Sequence, residues 1–261
     1  SPKWRRSVLV IGVVLVVGLV VALAVALQTS LSSSTSSNDN DHNATNELYE
    51  TLTSSSFDSG KALHDTRSSQ YEAYQFLSNM RDLEDLSPER LIQRYALATF
   101  YYSTGGSSWS SDKYWTSYAD ECNWEHLRCD NMESVSELHL SMKKLSGELP
   151  PEFFLLSNLE IVSLGYNTIR GTLPTEVGLL GGLTHLKLAS NGFTGPIPSE
   201  IGECKKLKVL HTFWTAFTGR VPDEICALRP PSGQLEILNE DCKTPCACST
   251  YWQTDWLDCF T

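Results

Sequence analysis

Apolar and polar positions divide the chain into regimes with different rhythms. Residues 8–27 form an unbroken apolar run of Val, Leu, Ile, Ala and Gly. Residues 29–46 are Ser, Thr, Asn and Asp with almost no apolar content. Helical spacing follows: Ser69 to Leu83 carries Tyr71, Tyr74, Phe76 and Leu77, and Leu91, Tyr95, Ala98 and Tyr102 recur at helix period after Ser87-Pro88-Glu89. That triplet is a helix start, with an N-cap serine, a proline in the first turn and an acid at the positive helix end. Gly105-Gly106 stops the helix. From Val135 the rhythm changes again, to a strict period of 24 residues. Val135, Leu159, Leu183 and Leu207 open successive units, Pro150, Pro174, Pro198 and Pro222 share one phase, and Gly147, Gly171, Gly195 and Gly219 share another.

Self-similarity of this length, with the pattern L-x-x-L-x-L-x-x-N, marks a leucine-rich repeat. In the unit from Leu159 to Gly182, Leu159, Val162 and Leu164 point inward from a short strand. Asn167 turns the chain and caps backbone groups of the neighbouring coil, and Ile169 and Leu173 line the core beyond the turn. No single unit buries its apolar face alone, and about three must stack for stability. About four are present, so the expected fold is an α/β repeat in a short solenoid. The turn asparagine appears as Asn167 and Asn191, whereas Lys143 and Thr215 hold that phase in the end units. After Leu228, Arg229 to Gly233 interrupts the period, and Leu235 to Leu238 reads as a final strand.

Both ends of the solenoid need closing. Trp109, Trp115 and Trp124 are expected to shield the first coil, beside a small disulfide loop between Cys122 and Cys129. Cys226, Cys242, Cys246, Cys248 and Cys259 crowd the other end, and with Cys204 they allow fifteen pairings. Disulfides are favoured over a metal site, because Cys246-Ala-Cys248 lacks the C-x-x-C spacing of zinc ribbons. No metal or cofactor is expected.

Charge adds a topology. Twenty apolar residues at ~1.5 Å rise span ~30 Å, the thickness of a bilayer core. Lys3, Arg5 and Arg6 precede the run and Asp39 and Asp41 follow it. The positive-inside rule then predicts a single-pass signal-anchor in the plasma membrane, N-terminus cytoplasmic and C-terminal domain extracellular. A cleaved signal peptide is the alternative, and it too would export the rest. The expected organisation is a cytoplasmic flank (1–7), a transmembrane helix (8–27), a flexible stalk (28–67), a helical and disulfide cap (68–134), repeats (135–230) and a Cys-rich cap (231–261). Asn43-Ala-Thr45 is an N-glycosylation sequon in the stalk. A formal net charge of -11 argues against nucleic acid as a partner.

The repeats resemble the plant-specific class of leucine-rich repeats, most closely at Gly195-Pro-Ile-Pro198-Ser-Glu-Ile-Gly202. That class occurs in receptor-like kinase ectodomains and polygalacturonase-inhibiting proteins. Cys122-x-Trp124-x-x-Leu127-x-Cys129 matches the spacing of the plant N-terminal cap, with His126 where that cap usually has Gly. Residues 68 to 261 as a whole resemble single-pass leucine-rich-repeat membrane proteins of diatoms. The resemblance implies fold and topology, and little about ligand.

Solenoids of this class bind on the concave face, where strand positions between the inward leucines project outward. One outward column reads His139, Ser163, Lys187, His211; another reads Glu137, Ile161, His185, Val209. Two more read Ser141, Gly165, Ala189, Phe213 and Met142, Tyr166, Ser190, Trp214. Tyr166, Phe213 and Trp214 stand out, because exposed aromatics are enriched at recognition surfaces. His139, Tyr166, Lys187, His211, Phe213 and Trp214 are the candidate ligand-binding residues. The histidines, spread over several strands, read as independent side chains. The expected function is a membrane-anchored extracellular recognition module for a protein, peptide or glycan, receptor-like or a co-receptor without its own kinase, acting with a signalling partner. A surface adhesion scaffold and an inhibitor of a secreted hydrolase are the alternatives. No G-x-S-x-G, H-E-x-x-H, P-loop or dinucleotide fingerprint points to an enzyme.

Overall fold

The computed structural model describes residues 45–80 and 83–239. Its contacts divide the chain into Ser1–Leu48 and Tyr49–Thr261, and the fold below is that of the second unit. The apolar run at 8–27, the sequon at Asn43 and Cys242, Cys246, Cys248 and Cys259 lie outside the described residues. Among the described residues no helix is long and apolar enough to cross a membrane.

Each of the four coils repeats one plan: a short inner strand, a turn, an outer strand, then a 3-10 turn, replaced in the last by a short α-helix. The inner strands are β2 (Val135–His139), β4 (Ile161–Ser163), β6 (His185–Lys187), β8 (Val209–His211) and β10 (Ile237–Asn239). They form one parallel sheet with β1 (Leu127–Cys129) added antiparallel at its edge, in the order β1-β2-β4-β6-β8-β10. The outer strands β3 (Ser146–Glu148), β5 (Thr168–Thr172), β7 (Gly192–Pro196) and β9 (Ala216–Thr218) make a second, four-stranded parallel sheet. The inner sheet pairs equivalent positions, such as Val162 with Leu186. In the outer sheet each coil slips by two residues, so Gly171 lies opposite Phe193.

The core runs between the two sheets. Leu138, Val162, Leu186 and Leu210 point in from the inner strands, and Leu145, Ile169, Phe193 and Phe217 from the outer turn, all buried. Phe193 and Phe217 stack with ring centroids 5.8 Å apart. Full burial of such a side chain contributes roughly 1.5–3 kcal/mol, so the stacked coils supply most of the stability. At the last coil Thr212 takes the phase of Leu140, Leu164 and Leu188. It is buried, and its backbone N–H donates to Asn239 O at 2.8 Å. Pro150, Pro174 and Pro198 cap the three 3-10 turns, and Pro222 caps helix α4 (Asp223–Cys226). A proline loses no ladder bond in that place.

The asparagine ladder is as expected. Asn167 Oδ1 accepts from the backbone N–H groups of Lys143 (3.0 Å) and Leu145 (3.1 Å), and its Nδ2 donates to Leu140 O and Leu164 O, both at 2.8 Å. Asn191 repeats this one coil later, on Ile169 N, Leu164 O and Leu188 O. These side chains satisfy backbone groups that the turn would otherwise bury unpaired.

The first coil is closed by helices α2 (Ser69–Ser78) and α3 (Pro88–Ser103), and helix α1 (residues 45–55) sets Tyr49 against Tyr74 of α2 with ring centroids 6.1 Å apart. Ser68 and Ser87 cap α2 and α3 through their side chains. The stalk expected over 28–67 is thus corrected in its described half: helix and a 3-10 turn (Lys61–His64) bury Leu52 and Leu63. Tyr49 also packs on His64 and Tyr74, so the segment has apolar partners that its polar composition hides. Phe100, Trp109, Trp115, Trp124 and Phe153 form one aromatic core, with Phe100 and Phe153 4.9 Å apart. Because Phe153 belongs to the first coil, cap and solenoid share that core. Cys122 and Cys129 form the expected disulfide. Cys226 is also disulfide-bonded, and Cys204 is free and buried, its thiol pushed up to about 11 by burial.

A buried ionic hub fixes the cap. Glu121 is fully buried and accepts from Arg90 Nε (2.7 Å), Gln93 Nε2 (2.8 Å) and the Arg94 guanidinium. Burial alone would raise its carboxyl, but these donors outweigh it and hold the group down at about 2. Arg90 also reaches Asp120 and Glu133, so α3 is tied to the loop that carries the disulfide.

Candidate concave-face site

The inner sheet sets the first two expected columns side by side. His139 pairs with Ser163, Ser163 with Lys187, Lys187 with His211, and His211 with Asn239. Glu137, Ile161, His185, Val209 and Ile237 form the parallel row. The columns touch at their first member, where His139 Nε2 and Glu137 Oε2 are 2.7 Å apart. Ser163 and Val209 are buried rather than presented, so the available face is narrower than the sequence suggested.

Among its described outward positions this face carries one carboxylate, Glu137, and one ammonium, Lys187. Lys187 stands beside His211 and has no ion pair among the described residues. His211 is lowered by burial and then by Lys187 and His185. His185 is lowered by burial and then by Lys187 and Lys208, with Glu236 opposing. At neutral pH both imidazoles are therefore uncharged hydrogen-bonding groups beside one ammonium. Lys187 adds to the lowering of both. Among the described residues no group of three or more His, Cys, Asp or Glu is placed to hold a metal.

The other two columns differ from the expectation. Gly165 and Ala189 are buried rather than displayed, because the three-residue strands end before them and the chain turns inward. The next position is a rim. Met142, Tyr166, Ser190 and Trp214 all have left-handed backbone, with φ between 54° and 58°. Side chains seldom adopt this conformation. It is held because the Met142, Tyr166 and Ser190 N–H groups donate to Gly165, Ala189 and Phe213 carbonyls of the next coil. The left-handed turn swings the side chain out, so Tyr166 is 51 % exposed and Trp214 67 %.

Ser190 is small, and the aromatic rings meet across it. Tyr166 and Trp214 have centroids 6.4 Å apart at 82°. Trp214 also touches Phe213 at 5.3 Å, and Phe213 touches His211 at 5.8 Å. Tyr166, Trp214, Phe213 and His211 are thus one continuous strip leading from the rim to the Lys187 column. His139 lies at the far end of that column, apart from the strip. Sequence reasoning named the aromatic residues but missed Ser190, whose small size in an otherwise bulky column was the available signal.

The Leucine Rich Repeat family model matches residues 182–204. Among solved structures the chain is similar to the BIR2 ectodomain from Arabidopsis thaliana, at 25 % identity and a TM-score of 0.51 over 57 % of this chain and 80 % of that one. It is also similar to the BIR3–SERK2 complex from Arabidopsis thaliana, at 26 % identity and a TM-score of 0.44 over 52 % and 72 %. The ectodomain of the receptor kinase SOBIR1 from the same plant gives 19 %, a TM-score of 0.41, and 50 % and 70 %. No curated protein sequence matches the chain. The repeats are leucine-rich repeats of the plant type.

Proposed function

We propose that this chain is a non-enzymatic recognition module that binds an extended peptide or protein segment along the concave sheet. Tyr166, Phe213 and Trp214 are its apolar anchors, and Lys187 and His211 its polar guides. The carrying observation is the contact between Tyr166 and Trp214 across Ser190. A soluble module has little reason to expose two large rings on strained backbone unless a partner covers them. The plant-type ectodomain fold supports the same reading. In this proposal the domain stands outside the cell on a membrane anchor formed by residues 8–27. It acts as a receptor or co-receptor that signals through a partner.

The test is an array of extended peptides and cell-surface proteins probed with the wild-type chain and with Tyr166→Ala/Phe213→Ala/Trp214→Ala. Saturable binding lost in a triple mutant that still folds supports the site. Binding that survives the three substitutions overturns it. Reporter tags placed at the two ends of the chain in intact cells test the anchor, which predicts protection of the N-terminal tag alone.

A further inference from the structure

Away from the concave sheet, the cap holds a cleft of about 510 Å³ lined by Thr66, Tyr71, Glu72, Gln75, Phe76, Asn79, Tyr102, Thr116 and Tyr118. One side of it comes from a stripe of α2 and its C-cap. Glu72, Gln75, Phe76 and Asn79 fall at i, i+3, i+4 and i+7, on one side of the helix. Ala73 and Leu77 of the same helix are buried in the cap core. Phe76 and Tyr102 pack partly on the core, so their rings form a fixed base. Tyr118 borders the cleft, and its hydroxyl donates to Asn79 O at 3.3 Å. The loop that carries it has left-handed backbone at Tyr114 (φ 69°) and at Thr116 (φ 51°), a β-branched residue for which this is a true outlier.

The lining selects a ligand by charge. It contains four aromatic rings, two amides, two threonine hydroxyls and one ionised group, Glu72. Among the described residues its lining includes no Lys, Arg or His, and Glu72 is its one charged side chain. Glu72 is exposed and makes no ion pair among the described residues. The Tyr102 hydroxyl is raised by burial, lowered by its hydrogen bond with Thr116 and raised by the charge of Glu72, which shares the cleft lining with it. The Asn79 amide nitrogen is committed to Gln75 O at 2.6 Å, leaving its oxygen as an acceptor. Aromatic faces around one carboxylate and several acceptors attract cations through the ring quadrupole and direct charge. A cleft of this volume suits a small molecule or one long side chain.

We propose that this cleft is a second binding site, for an organic cation of the ammonium or guanidinium type. The cation's apolar stem lies on Phe76 and Tyr102, its charge meets Glu72, and Tyr118 closes over it. The cation comes either as a free amine or as a basic side chain of a partner protein.

Isothermal titration of the full chain with agmatine, choline, N-acetyl-arginine methylamide, methyl glucoside and acetate tests it. Agmatine or choline binding with no response to the arginine derivative assigns a free amine, and the reverse assigns a protein-borne side chain. Either should weaken at least tenfold in Glu72→Gln, whose site is exposed and whose fold is not at risk, and also in Tyr118→Ala. Trp214→Ala should leave it unchanged, which separates this site from the concave one. Absence of cation binding, preference for the glucoside, or cation binding indifferent to Glu72→Gln would overturn the proposal.

Discussion

Tyr166 and Trp214 belong to coils two apart, yet their rings meet edge-on at 6.4 Å because Ser190, between them, is too small to intervene. Both rings are more than half exposed, so their contact adds little to folding. An exposed aromatic pair contributes on the order of 1 kcal/mol. Tyr166→Ala and Trp214→Ala should each lower stability by no more than about 1 kcal/mol in urea denaturation. Their effects on ligand affinity should be non-additive, as for one shared surface. A stability loss of several kcal/mol in either variant would make the pair a structural element and remove it from the binding reading.

Acid should unfold the cap through Glu121. Its carboxyl is held at about 2 against an ordinary 4.5. A group depressed on folding stabilises the protein above its unfolded value, and that stability is lost as pH falls from about 4.5 towards 2. At neutral pH the contribution is on the order of 3 kcal/mol. In Glu121→Gln the acid limb of the stability curve should flatten. The variant should also be roughly 3–5 kcal/mol less stable at pH 7, because Arg94 is then buried without its counter-charge. Denaturation curves at several pH values between 2 and 7 measure both effects, and an unchanged acid limb would show that other carboxylates govern it.

His126 occupies a left-handed turn with φ 71°, the position where the plant cap usually carries glycine. Its Nε2 is buried without a hydrogen-bond partner, and the nearest acid, Glu125, lies 3.6 Å away. Burial, and then Lys143, lowers the imidazole, so no charge compensates at neutral pH. Left-handed backbone costs a side chain roughly 1–2 kcal/mol. His126→Gly should therefore stabilise the cap by about 0.5–1 kcal/mol, read as a higher melting temperature in calorimetry. A lower one would mean that the imidazole's packing outweighs the strain.

The 24-residue period made the coils, inner strands and asparagine ladder legible, because each rests on a side chain that must recur. The outer sheet was not legible. Its strands carry Gly171, Gly195 and Pro196, residues that ordinarily argue against strands, and they hold together only by stacking on neighbouring coils. Strand β1 was hidden inside the disulfide loop, where Cys122 and Cys129 dominated the pattern. At the site, the aromatic residues were visible as types. Their contact was not, since it depends on a left-handed turn that nothing in Tyr166 or Trp214 announces. The cleft beside α2 was equally hidden, because Glu72, Gln75 and Asn79 look like any solvated helix face.

The joint between cap and solenoid is Gly147. Ser146 N donates to Thr104 O at 3.0 Å, and the next residue, at φ 96°, lies against the end of α3. A Cβ on Gly147 would collide with the carbonyl oxygen of Ser103, which is fixed backbone. Gly219, at the same phase three coils later, has φ 83°, and a methyl group added there would meet nothing within 4 Å. The two glycines therefore separate conformational strain from collision. Gly219→Ala should cost about 1–2 kcal/mol, the left-handed penalty alone. Gly147→Ala should cost at least about 3 kcal/mol, since the cap must also shift off the first coil. Urea denaturation of both variants measures the difference. If the cap and coils are one cooperative unit, Gly147→Ala lowers a single transition. If the joint is weak, a separate early transition appears in the tryptophan signal of Trp109, Trp115 and Trp124, while the coils unfold where they did before.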